Sequence, residues 1–172
     1  MRKQRKSARV ALYGMLIALA FVFSWLEAML PVVVPVPGVK LGLANLVTMV
    51  GLYTVGIIGT AGVSLARIIL AGFTFGNASS MLYALAGGVV SLAVMALAKK
   101  ANWFGRIGVS VLGGIFHNIG QLCVAAWVTR TAGVFVYLPA LLAAGVITGA
   151  LIGLLGGLVM ERVGESFRRG WG

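Results

Sequence analysis

Arg67 stands in Gly62-Val63-Ser64-Leu65-Ala66-Arg67-Ile68-Ile69-Leu70-Ala71, inside a run from Leu41 to Ala98 that has no other charged residue. An arginine at mid-bilayer costs roughly 2.5–3.5 kcal/mol on insertion scales, so the guanidinium must gain something that leucine would not supply. Its fork of N–H groups holds a carboxylate or phosphate through two parallel hydrogen bonds. Three other places carry polar side chains that could share that work. Glu27 follows an apolar run near the N-terminus, and Phe116-His117-Asn118-Ile119-Gly120-Gln121 interrupts another. Pro37-Gly38-Val39-Lys40-Leu41-Gly42-Leu43-Ala44-Asn45 brings a lysine and an asparagine together beside two glycines. At about 100° per residue, His117, Asn118 and Gln121 fall within one third of a helix surface, with His117 and Gln121 one turn apart.

Two readings of these residues stand side by side. Glu27 and Arg67 could simply pair, since a buried charge is costly without a partner. Alternatively Arg67 faces a cavity and holds an anionic ligand group, with Glu27 orienting it. His117, Asn118 and Gln121 then line the cavity and hydrogen-bond the ligand together with Asn45, and Lys40, at the entry to the second span, helps Arg67 neutralise it. Lys40 could also snorkel to lipid headgroups. Asn77, in Gly76-Asn77-Ala78-Ser79-Ser80, reads as a helix cap and is a further candidate on the same side.

Several chemistries lack their parts. The chain has no aspartate and three glutamates, Glu27, Glu161 and Glu165. Mg²⁺-dependent phosphate or diphosphate chemistry relies on clustered carboxylates. Its single histidine and single cysteine, Cys123, make neither a metal set nor a disulfide, and Cys123 reads as a small packing residue. No phosphate loop and no Gly-x-Ser-x-Gly motif occurs. The reading is non-enzymatic, with no metal and no resident cofactor.

The elements that position these residues follow from composition. The 172 residues are 60% hydrophobic and 10% charged, with a mean hydropathy of +1.05, which indicates an integral membrane protein. A net charge of +11 raises nucleic acid as a partner, but the charges sit in clusters beside apolar runs instead of forming a basic face. The clusters are Arg2, Lys3, Arg5, Lys6 and Arg9; Lys99, Lys100 and Arg106; and Arg162, Arg168 and Arg169. The expected fold is all-α, a single transmembrane domain over residues 1–172. Its basic N-terminus is 1–9, its six spans are near 8–30, 41–58, 60–75, 79–98, 107–128 and 134–160, and its tail is 161–172.

Charge selects six spans over five. Treating 41–75 as one tilted helix would put Lys99, Lys100 and Arg106 on the outer side, whereas six spans place all three clusters and both termini in the cytoplasm. The break in 41–75 is expected within Gly56–Gly62. The first span, although it begins like a signal peptide, stays apolar to Leu30 and is read as a retained helix. Arg67 then lies in the middle to outer half, level with Glu27, and the polar residues outline a pocket opening outwards. Gly145, Gly149, Gly153 and Gly157 recur every four residues in the last span, and Gly14 and Ala18 form a shorter pair in the first. Such small-residue seams pack helices within a bundle or dock a separate membrane partner.

The stretch from Glu27 through PGVKLGLAN, then Arg67, then HNIGQ and the glycine-rich last span, resembles a bacterial family. It is known as heptaprenyl diphosphate synthase component I and also as the Gx transporter family. The six-span plan resembles the S components of energy-coupling factor transporters. That resemblance implies uptake of a small anionic or amphipathic molecule, vitamin-like or an isoprenoid or quinone precursor, across a bacterial inner membrane. It also implies partners, an energy-coupling membrane subunit and two ATPases, with Gly14 and Ala18 in the docking surface. Alternatives are a membrane subunit of a flavin- or quinone-linked electron-transfer system, and a non-catalytic partner of a prenyl diphosphate synthase.

Overall fold

The computed structural model describes residues 2–29, 42–102 and 104–170, which are helical apart from short connections. Helix α1 is Arg2–Met29, α2 Asn45–Thr54, α3 Gly56–Thr74, α4 Ala78–Ala101, α5 Arg106–Thr129 and α6 Leu138–Gly170, the last preceded by a 3₁₀ turn at Ala132–Tyr137. All but α2 contain an apolar stretch long enough to cross a membrane, giving five such helices among the described residues. The proline-rich stretch Pro31–Pro37 and Lys40 lie outside the described residues.

The second span differs most from expectation. Instead of 41–58, the helix covers only Asn45–Thr54, ten residues. At about 1.5 Å per residue it is about 15 Å long, half the hydrocarbon thickness. The break falls at Val55–Gly56, ahead of the glycine-rich stretch: Val55 N–H closes α2 on the Gly51 carbonyl at 2.8 Å, and Gly56 turns the chain with φ +79°. That left-handed conformation suits a residue without a Cβ. Gly59 and Gly62 continue inside α3 because they need no unusual backbone. The two helices form a tight antiparallel hairpin. A Cβ on Gly51 would lie 2.9 Å from Thr60 Oγ1, and Thr48 Oγ1 sits 3.3 Å from Ser64 Oγ. Continuing that register puts Asn45 opposite Arg67, so α2 begins at mid-depth.

This half-length helix is the centre of the bundle. Seven of its ten residues are buried. Met49 and Leu52 join Leu92, Met95, Val109 and Ile152 in one apolar cluster, while Val47 and Val50 join Leu16, Ala20 and Val63 in another. Charged residues from other helices reach the chain beside its start and at its end. Glu27 Oε1 accepts the N–H of Gly42 in the turn leading into α2. At the other end, Lys99 Nζ donates to the Leu52 carbonyl at 2.7 Å and lies 4.3 Å from the centre of the Tyr53 ring. A carboxylate near the N-terminus and an ammonium at the C-terminus both match the helix dipole.

Glycines bring α5 close to its neighbours. A Cβ on Gly145 would lie 3.0 Å from Ile115 Cα, one on Gly149 2.6 Å from Val111 Cα, and one on Gly153 2.8 Å from Ile107 Cα. Gly157, fourth in the seam, has open space instead. On its other side α5 meets α4, where Gly120 faces Ala86 and Gly87. Cys123, expected to pack inside, is exposed on the outside of the bundle.

Tyr13 of α1 beside Gly59, Lys99 beside Leu52, and the Arg106–Glu161 ion pair at 3.9 Å tie one end of the bundle together. The start of α1, the α2–α3 hairpin tip, the α4–α5 connection and the C-terminal part of α6 therefore share that end, which carries the basic clusters.

The seam makes a graded prediction. Gly149→Leu has to displace α5 backbone and should lower stability by at least about 1–3 kcal/mol, whereas Gly157→Leu should be close to neutral. Thermal unfolding of the two variants in detergent checks this, and equal behaviour would contradict the packing described.

Candidate functional site

The polar residues of the apolar interior converge where α2 begins. Ser24 and Glu27 of α1, Gly42 and Asn45 at the entry to α2, Arg67 and Ile68 of α3, Ser80 and Met81 of α4, and His117 and Gln121 of α5 line one cavity. Helical spacing explains the grouping. Ser24 and Glu27 are three residues apart, and His117 and Gln121 four, so each pair shares a face. Gly87 makes room for the second pair, since a Cβ there would come within 2.9 Å of His117 Nδ1 and of Gln121 Cγ.

Arg67 is the cavity's centre of charge. Its side chain is buried, with 7% of its surface exposed, and Nη1 donates to Ser24 Oγ at 3.2 Å. Ser24 in turn donates to the Ala20 carbonyl at 2.9 Å, which turns a lone pair towards the guanidinium. Glu27 attracts the guanidinium electrostatically, while its Oε1 is engaged by the Gly42 N–H. Arg67 Nε and Nη2 are buried and have no hydrogen-bond partner among the described residues. These two nitrogens form one edge of the guanidinium, the edge that holds a carboxylate or phosphate side-on.

The opposite wall repeats the pattern. His117 Nδ1 and Gln121 Oε1 are also buried without a hydrogen-bond partner among the described residues. Gly87 packs directly against this ring, and Nδ1 makes no hydrogen bond to it. Unsatisfied buried polar atoms are uncommon in folded chains and need a reason. Here four atoms from three side chains lie around one space. The enclosed volume is about 30 Å³, room for about two waters and well below the roughly 300–1,000 Å³ of small-molecule pockets. Among the described residues, no three His, Cys, Asp or Glu side chains group as a metal set.

Of the residues singled out from the sequence, Glu27, Asn45, Arg67, His117 and Gln121 meet in this cavity. Asn118 does not. It points into the α5–α6 interface, where Nδ2 donates to the Leu141 carbonyl at 2.7 Å. Asn77 also stands apart: its side chain accepts from Ser80 N–H at 2.8 Å and caps α4, while Ser80 Oγ accepts from Asn77 N–H. The residues missed by sequence reasoning are Ser24, Ser80 and Gly87. Ser24 was within reach, because it precedes Glu27 by three residues on the same face. Gly14 and Ala18 are exposed on the outside of α1, and a Cβ at Gly14 would touch nothing within 4 Å.

Two neighbouring amides of α5 should therefore separate cleanly. Asn118→Leu removes an interhelical hydrogen bond and should lower stability by roughly 0.6–1.7 kcal/mol without changing the cavity. Gln121→Leu should leave stability the same or raise it, because it removes an unsatisfied buried oxygen. Thermal unfolding of both variants is the check.

A family model for heptaprenyl diphosphate synthase component I matches residues 16–159, a segment that includes every cavity-lining residue named above. Comparison with curated proteins and with solved structures gave no match. With most of its length covered, from the middle of α1 into α6, the chain belongs to the heptaprenyl diphosphate synthase component I family.

Proposed function

We propose that this chain is a non-catalytic membrane protein that captures a small anionic molecule on Arg67, in the manner of an S component, and depends on partner subunits for energy. One observation carries the reading: the Nε–Nη2 edge of Arg67 is buried and unpartnered, and it shares a cavity with the unpartnered His117 Nδ1 and Gln121 Oε1. An ion pair between Glu27 and Arg67 that served only the fold would use that edge itself. A bound carboxylate or phosphate would satisfy the edge, with His117 and Gln121 available to its other polar groups.

The basic clusters gathered at one end support a cytoplasmic assignment for that end and for both termini. The cavity would then be reached from the outer side or from the bilayer. Its small volume describes a closed form, so a vitamin-sized ligand requires the walls to part. The exposed Gly14–Ala18 face of α1 suits close approach by an energy-coupling membrane subunit. The family's description favours a second reading, a membrane partner of a prenyl diphosphate synthase. The absence of aspartate fits a supporting role there, since this chain lacks the carboxylates for Mg²⁺-diphosphate chemistry.

Arg67 variants test the proposal. In nanodiscs, the wild-type protein should gain thermal stability from at least one anionic compound in a panel of vitamins, flavins and isoprenoid precursors. Arg67→Lys, which keeps the charge and loses the fork, should weaken that binding about 10–100-fold. Arg67→Leu should insert and fold but show no ligand-dependent shift. If Arg67→Leu misfolds and Glu27→Gln/Arg67→Leu together restores folding, the pair is structural and the proposal falls. Recovery of a prenyl synthase with the purified protein, and of no ligand, would favour the second reading.

A further inference from the structure

The Arg67 cavity ends at Ile68, whose side chain is 5% exposed. Beyond it, α3 and α4 part around an apolar groove of about 200 Å³ lined by Ala61, Leu65, Ile68, Leu85, Gly88 and Val89 among others. Ile68 is common to both linings. The groove opens on the outside of the bundle: Leu65 is 49%, Leu85 41% and Val89 60% exposed, on two helices apolar enough to cross a membrane. That surface faces lipid. From Ala61 to Ile68 it extends about 10 Å along α3. Gly88 keeps it open, because a Cβ there would meet only Ile68 Cδ1, at 3.8 Å.

Ile68 therefore borders both the cavity that holds the buried guanidinium edge and an apolar groove open to the outside of the bundle. An anion fully surrounded by this cavity would leave the groove without purpose, and a neutral lipid tail would leave the guanidinium without a partner. A molecule with both parts satisfies both surfaces. We infer that the ligand is a single-tailed anionic amphiphile that enters sideways between α3 and α4. Its carboxylate or phosphate head sits on the Nε–Nη2 edge of Arg67, and its tail lies along the groove past a rotated Ile68. This rests on the proposed reading of the cavity as an anion site, and it adds the substrate class and the route.

Decyl phosphate with a diazirine at the tail end, photoactivated in nanodiscs of zwitterionic lipid, tests the route. Peptide mapping should find adducts concentrated in 61–65 and 85–89. They should fall at least tenfold in Arg67→Gln and several-fold in Gly88→Leu, which fills the groove. Methyl phosphate, the head without the tail, should still stabilise Gly88→Leu as it does the wild type. Adducts spread evenly over the lipid-facing helices, or unchanged in Arg67→Gln, overturn the inference. If methyl phosphate still stabilises the wild type but not Arg67→Gln in that case, the anion site stands and only the lateral tail fails. If it stabilises neither, both readings fail. Loss of labelling in discs rich in phosphatidylglycerol would assign the groove to a bilayer phospholipid and also overturn the inference.

Discussion

A helix that stops halfway through an apolar slab leaves backbone donors and acceptors where no water reaches them, and each unsatisfied group there costs several kcal/mol. Helix α2, ten residues long, is too short to cross such a slab, and the rest of the bundle is arranged around its two ends. Glu27 reaches from α1 to the amide of Gly42, and Lys99 reaches from α4 to the carbonyl of Leu52. Lys99 thus satisfies a carbonyl of the last turn of α2, while Glu27 holds the turn that leads into it, and each has the sign that the helix dipole favours. Because α2 is buried between both apolar clusters, these contacts also fix the depth at which α1 and α4 meet it.

That arrangement accounts for the state of Arg67. A buried guanidinium is most cheaply satisfied by a carboxylate held side-on. The acidic residue of its neighbourhood, Glu27, has an oxygen committed to the Gly42 amide, and what Arg67 receives directly is one hydroxyl, Ser24. The charge is compensated in part while the geometry is not, so an edge of the fork remains open towards His117 and Gln121. The open edge thus follows from the engagement of Glu27 by Gly42, and it is on this edge that the proposed anion site rests.

Much of this was legible in the sequence because polar residues inside apolar runs are few. Arg67, Glu27, His117 and Gln121 stand out by type alone, and topology from charge placed them at comparable depth. Direction was harder to read. Asn118 differs from His117 by one residue and therefore by about 100° around α5, enough to turn it from the cavity into α6. Ser24 was hidden because a serine in an apolar helix ordinarily bonds the carbonyl one turn back. It does so here as well, while also accepting from Arg67. Gly87 could not be told from the other glycines, since its role depends on which α5 side chains face it. The length of α2 was illegible for a different reason. Hydropathy runs unbroken from Leu41 to Phe75, and only the contact of Gly42 with Glu27 and the left-handed backbone of Gly56 show where helix begins and turns.

The glycine distribution divides the bundle mechanically. Helices α4, α5 and α6 approach one another backbone to backbone, through Gly120 against Ala86 and through Gly145, Gly149 and Gly153 against α5. Sliding such contacts would force main-chain atoms together. Gly14 and Gly62, on α1 and α3, face open space, and those helices meet the rest of the chain through side chains that can change rotamer. The cavity lies on the boundary between the two groups, with Ser24, Glu27 and Arg67 on the α1–α3 side and His117 and Gln121 on the α4–α6 side. Enlarging it by separating α5 from α6 would break a close-packed seam. Enlarging it by moving α3 away from α4 would break apolar side-chain contacts near Ile68 and Met81, which lipid tails or a ligand tail can replace at little cost. The glycines at the α3–α4 boundary, Gly72 and Gly88, thus meet side chains, whereas those of the α5–α6 seam meet main chain.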